Sequence, residues 1–470
     1  MRGTAARQNP HRVVVFMKVY DTIAAISTPR GKGGIAVIRI SGANTAAVLA
    51  EIFLPRGKSP TDNPRRACFG DICTPAGEVI DEGLVTYFAA PASFTGEDVA
   101  EISCHGGVLL TEAVLGAVLA AGARPAEAGE FTARAMMNGK MGLSSAEALG
   151  ALLDAGNKGQ LALARGGMEG KLADATREIY ERLSAILSDI YAKVDFPDED
   201  LNSMSAEELR TALAQVKAKT EALAATWQCG RAVSEGIETV ICGPVNAGKS
   251  TLYNAIVGHD AAIVTDIAGT TRDVLTDTVS LGRVTLRLSD TAGLRESDDP
   301  VEQIGISRAR RAVEEAELVF VLLDPRDPSD EDEALLRELA VTDKTVIRVY
   351  TKRDLCGDAI PVDSSIPTVY LSSVTGEGFD ALRETVESAF IDGNLRMGEE
   401  AVVFSARQSA TLSAVSVSLA TAANNLEADL PYDICADDIR EALSSLGELC
   451  GREMREDVIT EIFSRFCVGK

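Results

Sequence analysis

The octapeptide GPVNAGKS, Gly243–Ser250, has the residue types of a phosphate cradle. Its glycines let backbone N–H groups close around phosphate oxygens. Lys249 supplies a cation for the β- and γ-phosphates, and Ser250 offers a hydroxyl to Mg²⁺. The string follows the strand-like run ETVIC and opens the helix-like run TLYNAIVG. That strand–loop–helix order is the context a P-loop requires. Asn246, Ala247, Gly248, Lys249, Ser250 and Thr251 are therefore predicted to surround the phosphates.

Three further segments stand in the order such a site needs. GTTRD (269–273) supplies Thr271, able to complete the Mg²⁺ shell. DTAGL (290–294) ends a strand-like run; Asp290 can hold the metal through water, and the amide of Gly293 can sense the γ-phosphate, with Thr291 and Ala292 between them. TKRD (351–354) and LSSVTGEG (371–378) each follow a strand-like run. Asp354 would accept the two N–H groups of the guanine edge, Lys352 would lie along the base, and Ser372 and Ser373 would border it. Adenine is disfavoured, because it would leave that carboxylate without both hydrogen bonds. The first position of TKRD is ordinarily asparagine, which also braces the P-loop; here it is Thr351. Ras-like GTPases place a water-orienting glutamine directly after DTAG. Leu294 stands there instead and can neither donate nor accept, so another group must orient the water. Glu296 and Glu302, in the acidic run RESDDPVEQIG, are candidates; the plainer alternative is a solvated loop charge.

These motifs need a scaffold. Strand-like segments (ETVICG, VTLRLSD, LVFVLLD, TVIRVY, TVYLSS) alternate with helical ones over residues 234–393, predicting a doubly wound parallel sheet. On either side the apolar period is helical. Ser144 and Glu147 read as a capping box before one helix, and Ser205 and Glu208 before another. Leu172, Ile179, Leu183, Ile186 and Ile190 form a stripe stopped by Pro197. Leu412, Val415, Leu419, Ala422 and Leu426 form another, followed by Ile439, Leu443, Leu446 and Cys450. The expectation is an α/β domain inserted into a helical bundle whose halves are 141–233 and 394–470. Residues 21–140 read as a separate mixed α/β domain. Residues 1–20 are basic and acid-free. They read as a disordered extension or a mis-assigned start, with Met17 as the alternative first residue; a transit peptide is a third reading.

Composition narrows the class. The 470 residues carry 46 basic and 70 acidic side chains, a net charge of −24, which argues against a uniformly basic nucleic-acid-binding surface. Nine dispersed cysteines without a CxxC pair, and three histidines, argue against a zinc site or a disulfide framework and for a reducing, cytoplasmic setting. No apolar run approaches the ~20 residues of a membrane span. The C-terminal FCVGK has a cysteine four residues from its end. It fits prenylation poorly, because Gly469 is not aliphatic and Lys470 is an unusual terminal residue.

Taken together, the chain resembles the MnmE (TrmE) tRNA modification GTPase family. The matching stretches are DTIAAISTPRGKGGIAVIRISG, FTGEDVAEISCHGG, AGEFTARAMMNGKMGLSSAEALGALLDA, VDFPDED, GPVNAGKSTLYNAIVG, AAIVTDIAGTTRDV, DTAGLRESDDPVEQIGI and FCVGK, from Asp21 to Lys470. The resemblance implies a GTPase activated by potassium and by dimerisation of its nucleotide domains. Asn246, Thr265, Ile267 and Thr270 match the potassium positions, in a loop (Thr265, Asp266, Ile267, Ala268, Gly269, Thr270) that borders the nucleotide; Glu302 matches the catalytic glutamate. It implies a homodimer whose N-terminal domain binds a 5,10-methylene- or 5-formyl-tetrahydrofolate through Arg39, Glu101 and Lys140, with the C-terminal Cys467 and Lys470 reaching that pocket. Cys467 would act as nucleophile, proton carrier or positioning group. It also implies a flavin- and NADH-using MnmG-like partner, with which a carboxymethylaminomethyl or aminomethyl group is added to C5 of the wobble uridine of certain tRNAs. Two alternatives remain on the motifs alone: an Era-like regulatory switch in ribosome or RNA maturation, and a folate-dependent transferase that needs no flavoprotein.

Overall fold

The computed structural model describes residues 21–195, 204–244, 246–259, 276–289, 312–326, 330–355, 366–391, 393, 395–428, 430–452 and 469. The described residues divide into two compact units. One takes those up to Glu147 together with Gly451, Arg452 and Gly469; the other is Ala148–Cys450.

The first unit is built on a seven-stranded sheet of β1 (Ile23–Ile26), β2 (Ile35–Ser41), β3 (Phe53–Pro55), β4 (Ala67–Cys73), β5 (Val79–Phe88), β6 (Val99–His105) and β7 (Arg124–Pro125), in the order β3-β4-β5-β6-β2-β1-β7. Alternation along β2 and β6 sends Ile38, Ile40, Ala100 and Ile102 to one face. There they pack with Val48, Leu49 and Ile52 of α1 (Thr45–Ile52) and Val114, Ala117 and Val118 of α2 (Val108–Ala120). The period of two then sends Arg39 and Glu101, which pair directly in the ladder, to the opposite face. Helix α3 (Glu130–Met137) follows β7.

The expected capping box at Ser144 is not formed as an N-cap. Helix α4 (Leu143–Asp154) begins two residues earlier than that cap predicts, and the carbonyl of Gly142 already accepts a helical N–H, from Ala146 at 3.0 Å. The box at Ser205 is formed: Ser205 accepts from the Glu208 amide at 3.2 Å, and Glu208 accepts from the Ser205 amide at 2.7 Å.

In the second unit, α5 (Lys158–Met168), α6 (Lys171–Asp195), α7 (Ala206–Ala225) and α8 (Trp227–Ser234) precede the nucleotide motifs. The sheet that follows is β8 (Ile237–Cys242), β9 (Thr276–Leu281), β10 (Val284–Ser289), β11 (Leu318–Leu323), β12 (Thr345–Tyr350) and β13 (Thr368–Tyr370), ordered β13-β12-β11-β8-β10-β9. It is parallel except for β9, an antiparallel edge strand paired with β10. Helices α9 (Lys249–His259), α10 (Asp330–Ala340) and α11 (Phe379–Phe390) belong to this fold, and α12 (Ala406–Glu427) and α13 (Tyr432–Cys450) come after it. Leu183 and Ile190 of α6, Leu213 of α7, Leu412 and Leu419 of α12 and Ile439 of α13 share one buried core. Helices from before and after the α/β segment therefore close a single bundle. Truncating a fully buried leucine such as Leu183 to alanine would cost about 2–5 kcal/mol.

Among the described residues no helix is long and apolar enough to cross a membrane.

Candidate nucleotide and N-terminal ligand sites

The P-loop joins the end of β8 to the first turn of α9, where Lys249, Ser250 and Thr251 open the helix. At a helix start the first backbone N–H groups point out of the helix, and together with the helix dipole they favour an anion. Gly243 allows the close approach to β11: a Cβ at its φ of +143° would lie 2.3 Å from the Leu322 carbonyl oxygen. Asn246 has φ +63°, a left-handed conformation that asparagine tolerates better than most residues. Ala247 is buried, and the Lys249 ammonium donates to the carbonyls of Gly243 and Pro244 at 2.9 and 2.8 Å.

The loops after β12 and β13 brace this turn from the side. Thr351 Oγ1 donates to the Ala247 carbonyl at 2.8 Å, and Lys352 Nζ donates to the Asn246 carbonyl at 2.9 Å. Lys352 is held in turn by Asp324 at 2.8 Å. Hydrogen bonds from Arg326 and then Lys352 hold the Asp324 carboxyl far below its usual range despite burial. Asp354 lies in the next short turn, exposed, with one oxygen accepting from Ser372 Oγ at 2.6 Å. Ser372 is fully buried and also accepts the Thr375 amide at 3.2 Å, so its hydroxyl is aimed; Ser373 follows it in the turn. Sequence reasoning missed Asp324, because an aspartate ending an apolar strand carries no motif.

In the first unit, Arg39 donates to Glu101 Oε1 through Nε at 3.1 Å and Nη2 at 2.8 Å. The guanidinium lies over two rings, 5.3 Å from Phe94 and 5.8 Å from Phe131. Both arginine bonds fall on Oε1, so among the described residues Glu101 Oε2 is left to an outside donor. The side chains are 21% and 32% exposed, so the pair is reachable. An acceptor carboxylate beside aromatic rings fits a flat heterocycle that presents N–H donors. Lys140 Nζ donates to the Pro91 carbonyl at 3.0 Å, and its stem lies against Gly96, in the same loop as Phe94.

That loop rests on a buried charge network the sequence did not announce. Arg134 donates to Asp21 at 2.7 Å, Glu130 at 2.9 Å and Glu97 at 3.1 Å, while Arg124 reaches Glu130 at 2.6 Å and also pairs with Asp21. Burial pushes the Asp21 and Glu130 carboxyls up, but the arginine bonds outweigh it and hold both below their usual values. Gly469 docks at the end of β1. Ser27 Oγ donates to its carbonyl at 3.0 Å, beside Ile26, the neighbour of the residue that pairs with Arg39.

Burial pushes the Cys104 thiol up to about 11 and the Cys242 thiol up to about 12, which disfavours the reactive thiolate at both. Among the described residues no group of three or more His, Cys, Asp or Glu gathers to hold a metal ion. Thr265, Asp266, Ile267, Ala268, Gly269, Thr270, Thr271, Asp290, Thr291, Ala292, Gly293, Glu302, Cys467 and Lys470 lie outside the described residues, as do residues 1–20.

Residues 22–140 match the family described as GTP-binding protein TrmE N-terminus, and residues 143–467 match the MnmE helical domain. The tRNA modification GTPase MnmE of Moorella thermoacetica is 41% identical over 466 residues, covering 96% of this chain and 99% of that protein. The protein of the same name from Geobacillus kaustophilus is 38% identical over 464 residues, covering 97% and 100%. Among solved structures, the G domain of the T. maritima FeoB iron transporter aligns with 32% of this chain and 97% of its own, at 28% identity and a TM-score of 0.24. With matches that run nearly end to end, the chain belongs to the MnmE (TrmE) family of tRNA modification GTPases.

Proposed function

We propose that this GTPase works with a flavin- and NADH-using MnmG-like partner, adding a carboxymethylaminomethyl or aminomethyl group to C5 of the wobble uridine of certain tRNAs. The one-carbon unit comes from a tetrahydrofolate. The observation that carries the guanine reading is the Asp354 carboxylate, held by Ser372 beside a Lys352 already tied to the P-loop. The folate reading rests on Arg39 and Glu101, which present a cation and an open carboxylate oxygen against Phe94.

In this reading Ser250 and Thr271 would hold Mg²⁺, which neutralises phosphate charge when bound. Asn246, Thr265, Ile267 and Thr270 would hold potassium. Glu302 would orient the attacking water, a task Leu294 cannot perform. Arg39, Glu101, Lys140 and Lys470 would hold the folate, with Cys467 beside it. A homodimer in the cytoplasm, with the partner carrying most of the tRNA-binding surface, accommodates the charge of −24. An Era-like switch would leave the Arg39–Glu101 pair and the docked Gly469 without a use.

The test is GTP turnover in KCl and in NaCl at matched ionic strength. Strong acceleration by potassium that is lost in Asn246→Ala is expected. Equal slow rates in both salts would refute the potassium-activated mechanism.

A further inference from the structure

Between GTTRD and DTAGL, residues 276–289 form a hairpin, β9–Gly282–Arg283–β10. The segments flanking it are those expected to respond to the γ-phosphate. The hairpin is gripped by α5 and α8, whose Leu163, Ala232 and Val233 share an apolar core with Val279, Val284 and Leu286 of the hairpin, through a polar joint centred on the Thr285 hydroxyl.

Thr285 of β10 lies at its centre and is 3% exposed. Its hydroxyl donates to the Val233 carbonyl of α8 at 2.9 Å. It accepts from Asn157 Nδ2 at 3.2 Å and from Gln160 Nε2 at 3.1 Å. A hydroxyl has one proton and two lone pairs, and all three are in use. The Asn157 amide also reaches Ser280 Oγ at 3.3 Å, on the residue opposite Thr285 in the ladder. Asn157 Oδ1 faces the other way and accepts the Gln160 amide at 2.9 Å, as the N-cap of α5. Gly159 lets the backbone of α5 rest on the hairpin turn: a Cβ there would lie 2.3 Å from the Arg283 carbonyl oxygen. On the far side, Glu387 of α11 accepts the Arg283 amide at 2.7 Å and its guanidinium at 2.9 Å.

A close-packed, saturated contact of this kind moves as a block or breaks; it does not shear by small amounts. We propose that Asn157, Gln160 and Thr285 are positioning residues that couple nucleotide state to the helical bundle, by carrying displacement of the β9–β10 hairpin into α5 and α8. The proposal rests on the nucleotide reading of the P-loop and is independent of folate and tRNA.

Asn157→Asp separates coupling from folding, since an aspartate keeps the N-cap acceptor while replacing the amide donor that faces Thr285 and Ser280 with a charged acceptor. Thr285→Val is the second variant. The measurement is hydrogen–deuterium exchange of the full-length protein in KCl, with GDP and with GDP plus aluminium fluoride, read over α5 and α8. The parent is expected to show a nucleotide-dependent difference there, and both variants to lose it by about fivefold or more. In Asn157→Asp, GTP turnover should stay within about twofold of the parent. Retention of the full difference in both variants would overturn the proposal, as would a fall in turnover that parallels the lost exchange difference. A parent that binds GDP, by fluorescent-GDP titration, yet shows no difference overturns the coupling alone. A parent that binds no guanine nucleotide overturns the nucleotide reading as well.

Discussion

The Thr351 hydroxyl donates to the Ala247 carbonyl at 2.8 Å, tying the loop after β12 to the P-loop across 104 residues of sequence. Threonine thus supplies the brace that the usual asparagine would supply. Thr351→Val keeps the shape and removes the donor, leaving a buried carbonyl unpaired at a cost of about 1–2 kcal/mol. GDP affinity should fall by about 5- to 30-fold, measured by fluorescent-GDP titration, while Thr351→Ser stays near the parent. Unchanged affinity in Thr351→Val would mean that the brace does not shape the bound loop.

Glu101→Gln replaces a carboxylate oxygen by an amide donor beside Arg39. Reduced folate should bind at least about tenfold more weakly by calorimetry, as expected when a charged hydrogen-bond partner is lost. GTP turnover should be unaffected. Equal folate binding by both proteins would remove Glu101 from the pocket.

The Asp21–Glu130–Arg124–Arg134 cluster gives the first unit an acid-sensitive stability. Both carboxyls have folded pKa values below their ordinary 3.8 and 4.5. Their stabilisation is therefore complete above about pH 5 and is lost as pH falls through the lowered values. Arg134→Met leaves Glu130 buried with fewer partners and should destabilise the protein by about 3 kcal/mol at pH 7. The gap in melting temperature between variant and parent should narrow at pH 4. A gap that widens on acidification would contradict the sign of both shifts.

Gly469 has φ +102°, and a Cβ there would lie 2.3 Å from the Ile26 carbonyl oxygen. Gly469→Ala should therefore undock the C-terminus, with strain of about 1–3 kcal/mol. The expected result is at least a fivefold loss of tRNA modification, about the lower bound of that strain, with potassium-stimulated GTP turnover retained. Parallel loss of both activities would place the effect elsewhere.

Local chemistry made much of this protein legible from its residues. A P-loop is contiguous because one turn must wrap the phosphates. The stripes of α6 and α12 repeat because a helix must bury one face. Ser205 and Glu208 cap within four residues. What crosses long stretches of chain was settled only by folding. Arg39 meets Glu101 because a period of two sends both to the face opposite α1 and α2. Thr351 reaches Ala247 because parallel strands deliver their C-terminal loops to one edge. The Arg124–Arg134 network, the Asp324 tether on Lys352 and the Asn157–Thr285 joint carry no local pattern. Their partners are chosen by burial, which leaves an enclosed charge or hydroxyl only those groups that the fold places within reach.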